Sequence, residues 1–335
     1  MITLDKLSRE THLSISTVRR ALKNLPDVDL RTKRKVSCAA KKFGYRPNLL
    51  ARGLITRRTG VIGVSVPDIQ LSFYPELIKG IESELKTKEY RVILWDSEGT
   101  AESLINGLEI FRDYMVEGVI FVPVPGKDKK VIKRKIRELS VPYVFVDEYI
   151  DSRSNFVVTD DEEGGKTAVS YLISLGHRTI AHFSGPLEDS SALNRLNGYK
   201  KALSEAKIKF NHRSLFESDF TEKGGYECAD NLLDNNTDVT AIFCANDAMA
   251  IGCMKLLLSR NVEVPQEMAV VGYGNYLNYG DFLKIPLTTI SQPAKEMGRI
   301  SASMLIETIE GKLKQSRHVF LKTKLITRES SGSKY

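Results

Sequence analysis

The sequence predicts an all-α head of three short helices, followed by an α/β body with two doubly wound parallel-sheet subdomains. Two observations predict this division. Residues 1–60 hold 15 Lys and Arg against 4 Asp and Glu, whereas the remaining residues hold 34 against 38. The apolar spacing also changes near residue 60, from helical periodicity to short β-rich runs that alternate with helical stretches. The basic head is expected to meet a polyanion.

The composition is that of a cytoplasmic globular protein. The chain of 335 residues is 42% hydrophobic and 27% charged, which is typical of folded domains. No apolar run approaches the ~20 residues of a membrane span, and the N-terminus lacks the pattern of a secretory signal. The four cysteines show no CxxC spacing. We therefore expect reduced thiols, a cytoplasmic location and no membrane partner.

The head contains the signals of a helix-turn-helix motif. A first helix is predicted from about Leu4 to Arg9, with a turn at residues 11–13. Ser14 is a suitable N-cap for the second helix, and Asp29 for a third that reaches Phe43. Gly44 stands where a helix C-terminus favours glycine. Three short helices with a tight turn between the first two are typical of DNA-binding heads.

The second helix has a buried and an exposed face. Its buried stripe is predicted to consist of Val18, Ala21, Leu22 and Leu25. The outer face carries Ile15, Ser16, Arg19, Arg20 and Lys23. An ordinary solvated helix mixes charges of both signs, but this face has no carboxylate. Arginine can contact guanine through two hydrogen bonds, and isoleucine can contact a thymine methyl group, so the face is predicted to read bases in DNA.

The body alternates apolar strands and helices in two successive blocks. The predicted strands are at residues 61–67, 90–95, 118–123 and 141–147, then at 156–160, 178–185, 240–247 and 268–274. A last helix at 293–310 and a strand at 319–325 complete the chain. This alternation predicts parallel sheets that helices cover on both faces. Residues 48–54 have helical propensity but are too few for a stable isolated helix, so they are interpreted as a hinge helix.

Enzymatic signals in the sequence are weak, and no catalytic motif is intact. The run Gly164–Thr167 resembles part of a phosphate-binding loop, but Asp160 stands where that motif needs its first glycine. The five histidines are scattered without metal-ligand spacing. We therefore expect a protein that is not an enzyme and that needs no metal or cofactor.

The sequence resembles the lactose/galactose repressor (LacI) family of bacterial transcription regulators. The resemblance is carried by "TLDKLSRETHLSISTVRRALKN" at the start and "FGYRPNLLARGL" at residues 43–54. Further matches in the same order include "SLGHRTIAHFSGP", "AIFCANDAMAIG" and "VPQEMAVVGYG". The resemblance implies a periplasmic-binding-protein-like body, a pseudo-palindromic double-stranded DNA operator, and a homodimer. It also implies a small-molecule effector, expected to be a sugar or sugar derivative, that controls operator affinity.

The resemblance also implies roles for individual residues. Ile15, Ser16 and Arg20 match base-reading positions, and Leu54 matches a leucine that wedges into the minor groove. The predicted DNA-binding set is Thr3, Ile15, Ser16, Thr17, Arg19, Arg20, Lys23, Thr32, Tyr45, Asn48, Ala51 and Leu54. The predicted effector-binding set is Phe73, Tyr74, Asp147, Arg195, Phe220, Asn246 and Asn275. Core packing is the alternative for Phe73 and Tyr74. Asn246 is expected to supply an amide contact, with Asp247 as an N-cap.

Some positions depart from the family pattern. Thr11 and His12 replace the usual Ala-Gly of the turn, while Arg19 and Lys23 add charge to the DNA-facing helix. Gly274 stands where the family often has a ligand-binding aspartate. These differences leave open the operator sequence and the identity of the effector.

The predicted boundaries follow from these matches. A head at 1–47 and a hinge at 48–60 precede an effector-binding and dimerisation domain at 61–335. Within that domain, one subdomain spans about 61–157 plus 291–325, and the other about 158–290. The tail after Arg328 is too short for a coiled coil, which favours a dimer over a tetramer. A solute-binding or sensing protein without a DNA role is the alternative function, but the basic head argues against it.

Overall fold

A computed structural model describes residues 3–45, 58–71, 73–124, 129–235, 238–275 and 284–332. The chain divides into two compact units, Met1–Thr59 and Gly60–Tyr335. We call the first unit the head and the second the body, and we describe each by itself. Among the described residues, no helix is long and apolar enough to cross a membrane.

The head consists of three helices, α1 at Leu4–Thr11, α2 at Ile15–Leu22 and α3 at Leu30–Lys42. Each begins at a side chain that caps its first turn. The oxygens of Thr3, Ser14 and Asp29 accept hydrogen bonds from backbone N–H groups three residues later, at 3.3, 3.1 and 2.9 Å. These bonds satisfy donors that have no partner inside the helix. The predicted caps Ser14 and Asp29 are confirmed.

The turn of the head starts later than predicted. Thr11 belongs to α1, where its buried hydroxyl donates to the carbonyl of Leu7 at 2.7 Å. The chain reverses at His12, whose φ of 52° lies in the left-handed region. A glycine adopts that conformation without steric cost, whereas His12 must be held in it by the surrounding structure.

The core of the head is small, and one predicted member is missing from it. Leu7, Val18 and Val36 are fully buried. Leu25, predicted for the buried stripe of α2, is instead 37% exposed. Because α2 ends at Leu22 and the chain turns two residues later, helical spacing no longer applies at Leu25. Val28 is the buried side chain that follows this turn.

The strands of the first sheet of the body, sheet A, are β1 Val61–Val66, β2 Arg91–Asp96, β3 Gly118–Phe121, β4 Tyr143–Val146, β5 Phe156–Thr159 and β11 His318–Leu321. Their order is β11-β5-β4-β3-β1-β2, and the pairs between these strands are parallel. Its helices are α4 Phe73–Thr87, α5 Ala101–Asp113, α6 Lys129–Leu139 and α11 Ala294–Ile309. One apolar cluster fills the face under α4 and α11, and a second fills the face under α5 and α6.

The strands of the second sheet, sheet B, are β6 Ile180–Ser184, β7 Leu215–Glu217, β8 Ala241–Cys244, β9 Ala269–Gly274, β10 Thr288–Ser291 and β12 Lys324–Ile326. Their order is β12-β10-β9-β8-β6-β7; among the described residues β10 and β12 pair antiparallel and the other pairs are parallel. Its helices are α7 Asp161–Ser174, α8 Ser190–Glu205, α9 Glu222–Asp234 and α10 Asp247–Ser259. Strands β7 and β10 were not among the predicted strands.

The single strand predicted at residues 319–325 is wrong, because the structure divides it in two. Residues 318–321 pair with β5 in sheet A, and residues 324–326 pair with β10 in sheet B. Lys322 and Thr323 form the crossing between the sheets. An apolar pattern does not reveal that consecutive residues serve different sheets.

Candidate functional site

The outer face of α2 is exposed and cationic. Ile15 is 39% exposed, and Ser16, Arg19 and Arg20 are also exposed. Lys23, predicted to extend this helical row, is exposed but caps the C-terminus of α2. The four helical side chains lie opposite Val18 and Ala21, which are buried in the core of the head. The helix can therefore present this face to a partner without losing its own packing.

Arg20 has a partner within the head. Its guanidinium forms a salt bridge with the carboxylate of Asp27, in the turn after α2. The two side chains are 51% and 40% exposed, so water screens the pair. Such exposed pairs contribute about 0–1 kcal/mol. Arg20 is consequently held in place by a contact that a stronger acceptor can replace.

The supporting DNA-binding positions lie around this face. Thr17 is half-buried, and its hydroxyl is 2.8 Å from that of the cap Ser14. Thr32 sits in the first turn of α3, where its N–H is taken by Asp29. Tyr45 packs partly buried against the core of the head, and burial raises the pKa of its phenol while the charge of Arg19 acts to lower it. Asn48, Ala51 and Leu54 lie outside the described residues.

Helix α3 carries much of the positive charge that the sequence shows in the head. This helix carries six Lys and Arg side chains and no carboxylate: Arg31, Lys33, Arg34, Lys35, Lys41 and Lys42. Cations in a first helical turn oppose the helix dipole, which favours negative charge there. Positive charge at that end therefore lowers helix stability and is suited to contact with phosphates.

In the body, Arg195 is the centre of a buried polar network. Its side chain, on α8, is 4% exposed. Its Nε donates to Asp161 at 3.1 Å and its Nη1 donates to the carbonyl of Ala245 at 2.7 Å. The guanidinium also lies 3.9 Å from the ring centre of Tyr273. The side chain is thus fixed by protein groups from three elements.

Asp161 collects several donors on one oxygen. Besides Arg195, the hydroxyls of Tyr273 and Thr159 donate to its Oδ1, at 2.7 and 3.1 Å. Asp161 is only 4% exposed and stands in the first turn of α7, where negative charge suits the helix dipole. Sequence reasoning did not single out this residue, because its partner Arg195 lies 34 residues away along the chain.

Glycines explain how these groups approach each other. A Cβ on Gly165 would lie 2.5 Å from the backbone oxygen of Arg195, and one on Gly198 would lie 2.1 Å from that of Glu162. Helices α7 and α8 therefore cross with their backbones in contact. A Cβ on Gly164 would lie 2.3 Å from the Tyr273 hydroxyl. The glycines that resembled a phosphate loop serve this packing.

Asp147 follows β4 of sheet A, and its carboxylate connects the part of the body built on sheet A to the part built on sheet B. Its φ of 69° turns the chain, and its carboxylate accepts from Gln292 at 3.5 Å. Gln292 follows β10 of sheet B and also donates to Thr159 at 3.0 Å. The pKa of Asp147 is raised to about 7, mainly by burial and also by Glu148 and Asp161, while Arg195 acts to lower it. These charges therefore share one small region.

Glu148 also follows β4 of sheet A, and its side chain bonds to the start of α8, a helix that belongs to sheet B. Its carboxylate accepts the N–H groups of Ser190 at 3.0 Å and Ser191 at 2.7 Å, and also the Ser190 hydroxyl. These residues begin α8, whose own N-cap, Asp189, makes no side-chain capping bond. Beside them, Lys129 lies 3.7 Å from the Asp189 carboxylate. Glu148 thus caps a helix of the opposite half.

The aromatic positions have mixed surroundings. Phe73 and Tyr74 are 3% and 9% exposed, pack edge to face at 5.2 Å, and belong to the apolar cluster of sheet A. Phe73 also borders a cavity of about 360 Å³, together with Asn275 and Gln292. Phe220 covers Gly185, where an added Cβ would lie 2.1 Å from its ring. Phe220 follows β7 with a φ of 65°.

Asn246 is the N-cap of α10, so the N-cap predicted at Asp247 is wrong. Its Oδ1 accepts from the N–H of Met249 at 2.8 Å, and its Nδ2 donates to the carbonyl of Phe220 at 2.7 Å. Asp247 instead lies inside α10 and accepts from the Thr289 hydroxyl at 2.6 Å. Asn and Asp are about equally good caps, so the sequence could not choose between neighbours.

Asn275 follows β9 and borders the same cavity as Phe73. Its side-chain oxygen accepts from Arg328 at 3.1 Å, which ties it to the C-terminal segment. The structure therefore brings Asp147 near Arg195, and places Asn275 and Phe73 together at the cavity. It adds Asp161, Glu148 and Gln292 to the region. Among the described residues, no cluster of three potential metal ligands occurs.

Comparisons with known proteins give the family. A model described as a periplasmic binding protein-like domain matches residues 169–331. The transcriptional regulator RegA of Clostridium saccharobutylicum is 34% identical over 332 residues, which cover 98% of this chain and 99% of RegA.

Two solved structures are similar to this chain over most of its length. A Lac repressor dimer bound to operator and the anti-inducer ONPF has a TM-score of 0.88 at 26% identity, and covers 98% of this chain and 99% of that one. A LacI-family regulator from Enterococcus faecium with bound ribose has a TM-score of 0.69 at 30% identity, and covers 81% of this chain and 98% of that one. The chain belongs to the LacI family of transcriptional regulators.

Proposed function

We propose that this regulator is a homodimeric repressor that reads a pseudo-palindromic operator through α2 and releases or binds it in response to a small molecule held in the body. The observation that carries the proposal is the outer face of α2, with two exposed arginines and no carboxylate. Ile15, Ser16 and Arg20 are proposed to contact base edges.

The remaining DNA contacts are proposed to go to phosphates. Arg19 and Lys23 flank the reading face, and Thr3, Thr17, Thr32 and Tyr45 surround it. The cations of α3 add charge that attracts any duplex, so affinity is expected to fall steeply with salt. Asn48, Ala51 and Leu54 remain predicted contacts of the hinge at 48–60. Binding to the operator implies action in the cytoplasm, at the chromosome.

The effector is proposed to bind in the body, at the ends of the strands of both sheets. Open α/β sheets bind ligands at the carboxyl ends of their strands. Asp147, Asn246, Asn275 and Phe220 all follow such ends, and Arg195 and Phe73 lie beside them. Tyr74 is retained as a predicted contact behind Phe73. A sugar, with many hydroxyls, suits this mixture of carboxylate, amide and aromatic groups.

A two-fold dimer is supported by the edge of sheet A. Within the part of the chain that the structure describes, strand β2 pairs with β1 alone, and its Leu94 is 42% exposed. Ile69, on the loop after β1, is 44% exposed. An exposed apolar edge strand invites pairing with another chain unless it is covered. Covering it by a second copy would give a dimer with two heads, one for each half-site of a pseudo-palindromic operator.

Selection of bound fragments from genomic DNA tests the proposal. Full-length protein is mixed with sheared DNA and excess non-specific competitor at about 0.15 M salt, and retained fragments are sequenced. We expect a shared inverted repeat. An Ile15→Ala, Ser16→Ala variant should keep non-specific binding and lose this selection. Retention without any shared sequence would overturn operator recognition and favour a solute-sensing role.

A further inference from the structure

Sheet A has a second edge at β11, opposite the edge at β2. Strand β11 pairs with β5, and the described residues place no strand on its other side. The carbonyls of Arg317 and Leu321 accept from N–H groups of β5 and of the residue after it, at 3.1 and 2.9 Å. Because backbone groups of successive residues point to opposite sides of a strand, those of His318 and Phe320 point away from β5. They are placed to form hydrogen bonds with an added strand.

An aromatic cluster lies on one face of this edge. Phe156 of β5 is 2% exposed, and the rings of Tyr149 and His318 stack on it with ring centres at 4.4 and 4.3 Å. The ring of Phe320 meets Phe156 edge to face at 5.5 Å. Phe320 is nevertheless 57% exposed, the largest exposed fraction among the large apolar side chains of the body that the structure describes. An apolar side chain of a partner can cover this ring.

The segment that carries β11 is basic, although the body as a whole is mildly acidic. Residues 311–328 hold six Lys and Arg and no Asp or Glu, whereas the rest of the body holds 28 Lys and Arg against 38 Asp and Glu. Two of the six pair with glutamates at the end of α11, and Arg328 is buried. The other three are exposed and form no ion pair with a carboxylate in the described ranges: Lys314, Lys322 and Lys324.

Carboxylates on the neighbouring elements do not balance this charge. Asp151, in the loop before β5, lies at 2.7, 3.7 and 3.5 Å from three cations: Lys133, Arg137 and Arg153. Asp160 follows β5 as Lys322 follows β11, and its carboxylate accepts the N–H of Glu163 in the first turn of α7 at 3.1 Å. Glu163 itself and Glu329, after β12, are exposed. Cations therefore exceed carboxylates around the edge.

We propose that β11 is a docking edge for an extended acidic segment of another protein, which adds to sheet A as a strand beside β11. The backbone groups of His318 and Phe320 hold this strand by main-chain hydrogen bonds, and an apolar side chain of the strand covers Phe320. Its carboxylates meet Lys314 and Lys322. Lysines on an exposed edge repel a second copy of the same edge. The same lysines attract a strand of opposite charge, so the edge selects an acidic partner over itself.

A labelled peptide with blocked termini and the sequence Asp-Glu-Val-Thr-Val-Glu-Asp is the probe. Its binding to the full-length protein is followed by fluorescence anisotropy at about 0.15 M salt. One control peptide has lysine in place of every acid. A second has Pro-Pro in place of the central Val-Thr, which keeps the charge but removes an N–H on each side of the strand. We expect both controls to bind about tenfold more weakly than the parent peptide, or worse.

Two variants change the edge itself, and two matched variants change other parts of the body. Phe320→Ala should weaken binding of the parent peptide about tenfold, because the apolar anchor is lost. Lys322→Gln should weaken it a few-fold. Tyr114→Ala and Lys223→Gln alter side chains that are 51% and 84% exposed elsewhere, and should leave binding unchanged. The cationic head is the same in all these chains, so a difference between them reports on the body.

Several outcomes overturn the proposal. It fails if the parent peptide does not bind, if either control peptide binds as tightly, or if Phe320→Ala leaves binding unchanged. A single-stranded oligonucleotide that displaces the peptide and itself depends on Phe320 would assign the edge to nucleic acid instead. Self-association that Phe320→Ala abolishes would assign it to a second copy. Operator selection and effector binding play no part in these outcomes.

Discussion

Two arginines, one in each unit, show how differently the same side chain is held. Arg20 in the head is half exposed and paired with Asp27, also in water. Arg195 in the body is 4% exposed and engaged with Asp161, Ala245 and Tyr273. Water screens the first pair, so its loss changes the free energy of unfolding little. The second pair is surrounded by protein, so the loss of one partner destabilises the fold strongly. The head therefore exposes the positive charge of Arg20 to solvent, whereas the body neutralises that of Arg195 with Asp161.

Removing the acidic partner of each arginine should give the largest difference in the free energy of unfolding between the two regions. Asp161→Ala leaves Arg195 buried without its counter-charge, and such losses cost about 3–5 kcal/mol in the free energy of unfolding. Asp27→Ala should cost less than about 1 kcal/mol, because Arg20 returns to water. Urea unfolding followed by the fluorescence of Trp95, the single tryptophan, reports on the body, and hydrogen exchange at the amides of α1, α2 and α3 reports on the head.

A double variant serves as the control for this comparison. Replacing Arg195 by Met together with Asp161→Ala removes both charges and should be less destabilising than Asp161→Ala alone, since no buried charge then lacks a partner. Equal loss in the single and double variants would mean that packing, and not charge, sets the cost.

The sequence could predict one of these arrangements better than the other. Helix caps and the exposed face of α2 depend on neighbours within a few residues, so Ser14, Asp29 and the outer row followed from spacing alone. The partner of Arg195 lies 34 residues away along the chain. Its identity depends on the crossing of α7 and α8 at glycines, which periodicity does not encode. Glu148 likewise caps a helix 42 residues distant.

The errors have the same origin. Leu25 fits the helical stripe, but α2 stops before it. Residues 318–326 form one apolar run, but the chain passes from sheet A to sheet B within it. In each case the local pattern predicts which residues are apolar, but it does not predict where the element ends, because tertiary packing sets that boundary. Most strand positions could be predicted because parallel strands are buried on both faces and form continuous apolar runs.

Acid should weaken the buried region through His182. This residue is fully buried, with its ring stacked on Phe243, and burial lowers its pKa to about 4, with the charges of Arg195 and Lys200 acting in the same direction. The native state therefore stays unprotonated between pH 6.5 and 4 while the unfolded chain takes up a proton. The free energy of unfolding should therefore decrease as the pH is lowered from 6.5 to 4, by up to about 3 kcal/mol at about 1.4 kcal/mol per pH unit.

Asp147 should act in the opposite direction over part of the same range. Its raised pKa means that the native state holds a proton below about pH 7, so its contribution to stability grows as pH falls toward 4. Comparing His182→Phe and Asp147→Asn with wild type by urea unfolding at several pH values separates the two. Parallel pH profiles for His182→Phe and wild type would contradict the role of His182.

The exposed arginine should matter for binding instead of stability. Arg20→Ala is expected to weaken operator affinity by about 1–3 kcal/mol and to relax selection at one base position. Arg9→Ala removes another exposed head arginine, on α1, and should affect all DNA sequences alike. Fluorescence anisotropy with the selected operator and single-base variants measures both. Unchanged selectivity in Arg20→Ala would remove it from the base-reading set.

The smallest expected effect concerns the partner of Arg20. Asp27→Asn removes one negative charge close to the reading face while it keeps the side-chain shape. If the salt bridge only occupies Arg20 until DNA replaces Asp27, operator affinity should rise a few-fold, in line with a pair worth about 0–1 kcal/mol. The salt dependence of binding should then change little, because Arg20 is proposed to contact a base edge and neutralises no additional phosphate. Weaker operator binding would instead mean that Asp27 orients Arg20 for its base, in which case even this exposed pair resembles the pair of Arg195 and Asp161 in holding its arginine in place.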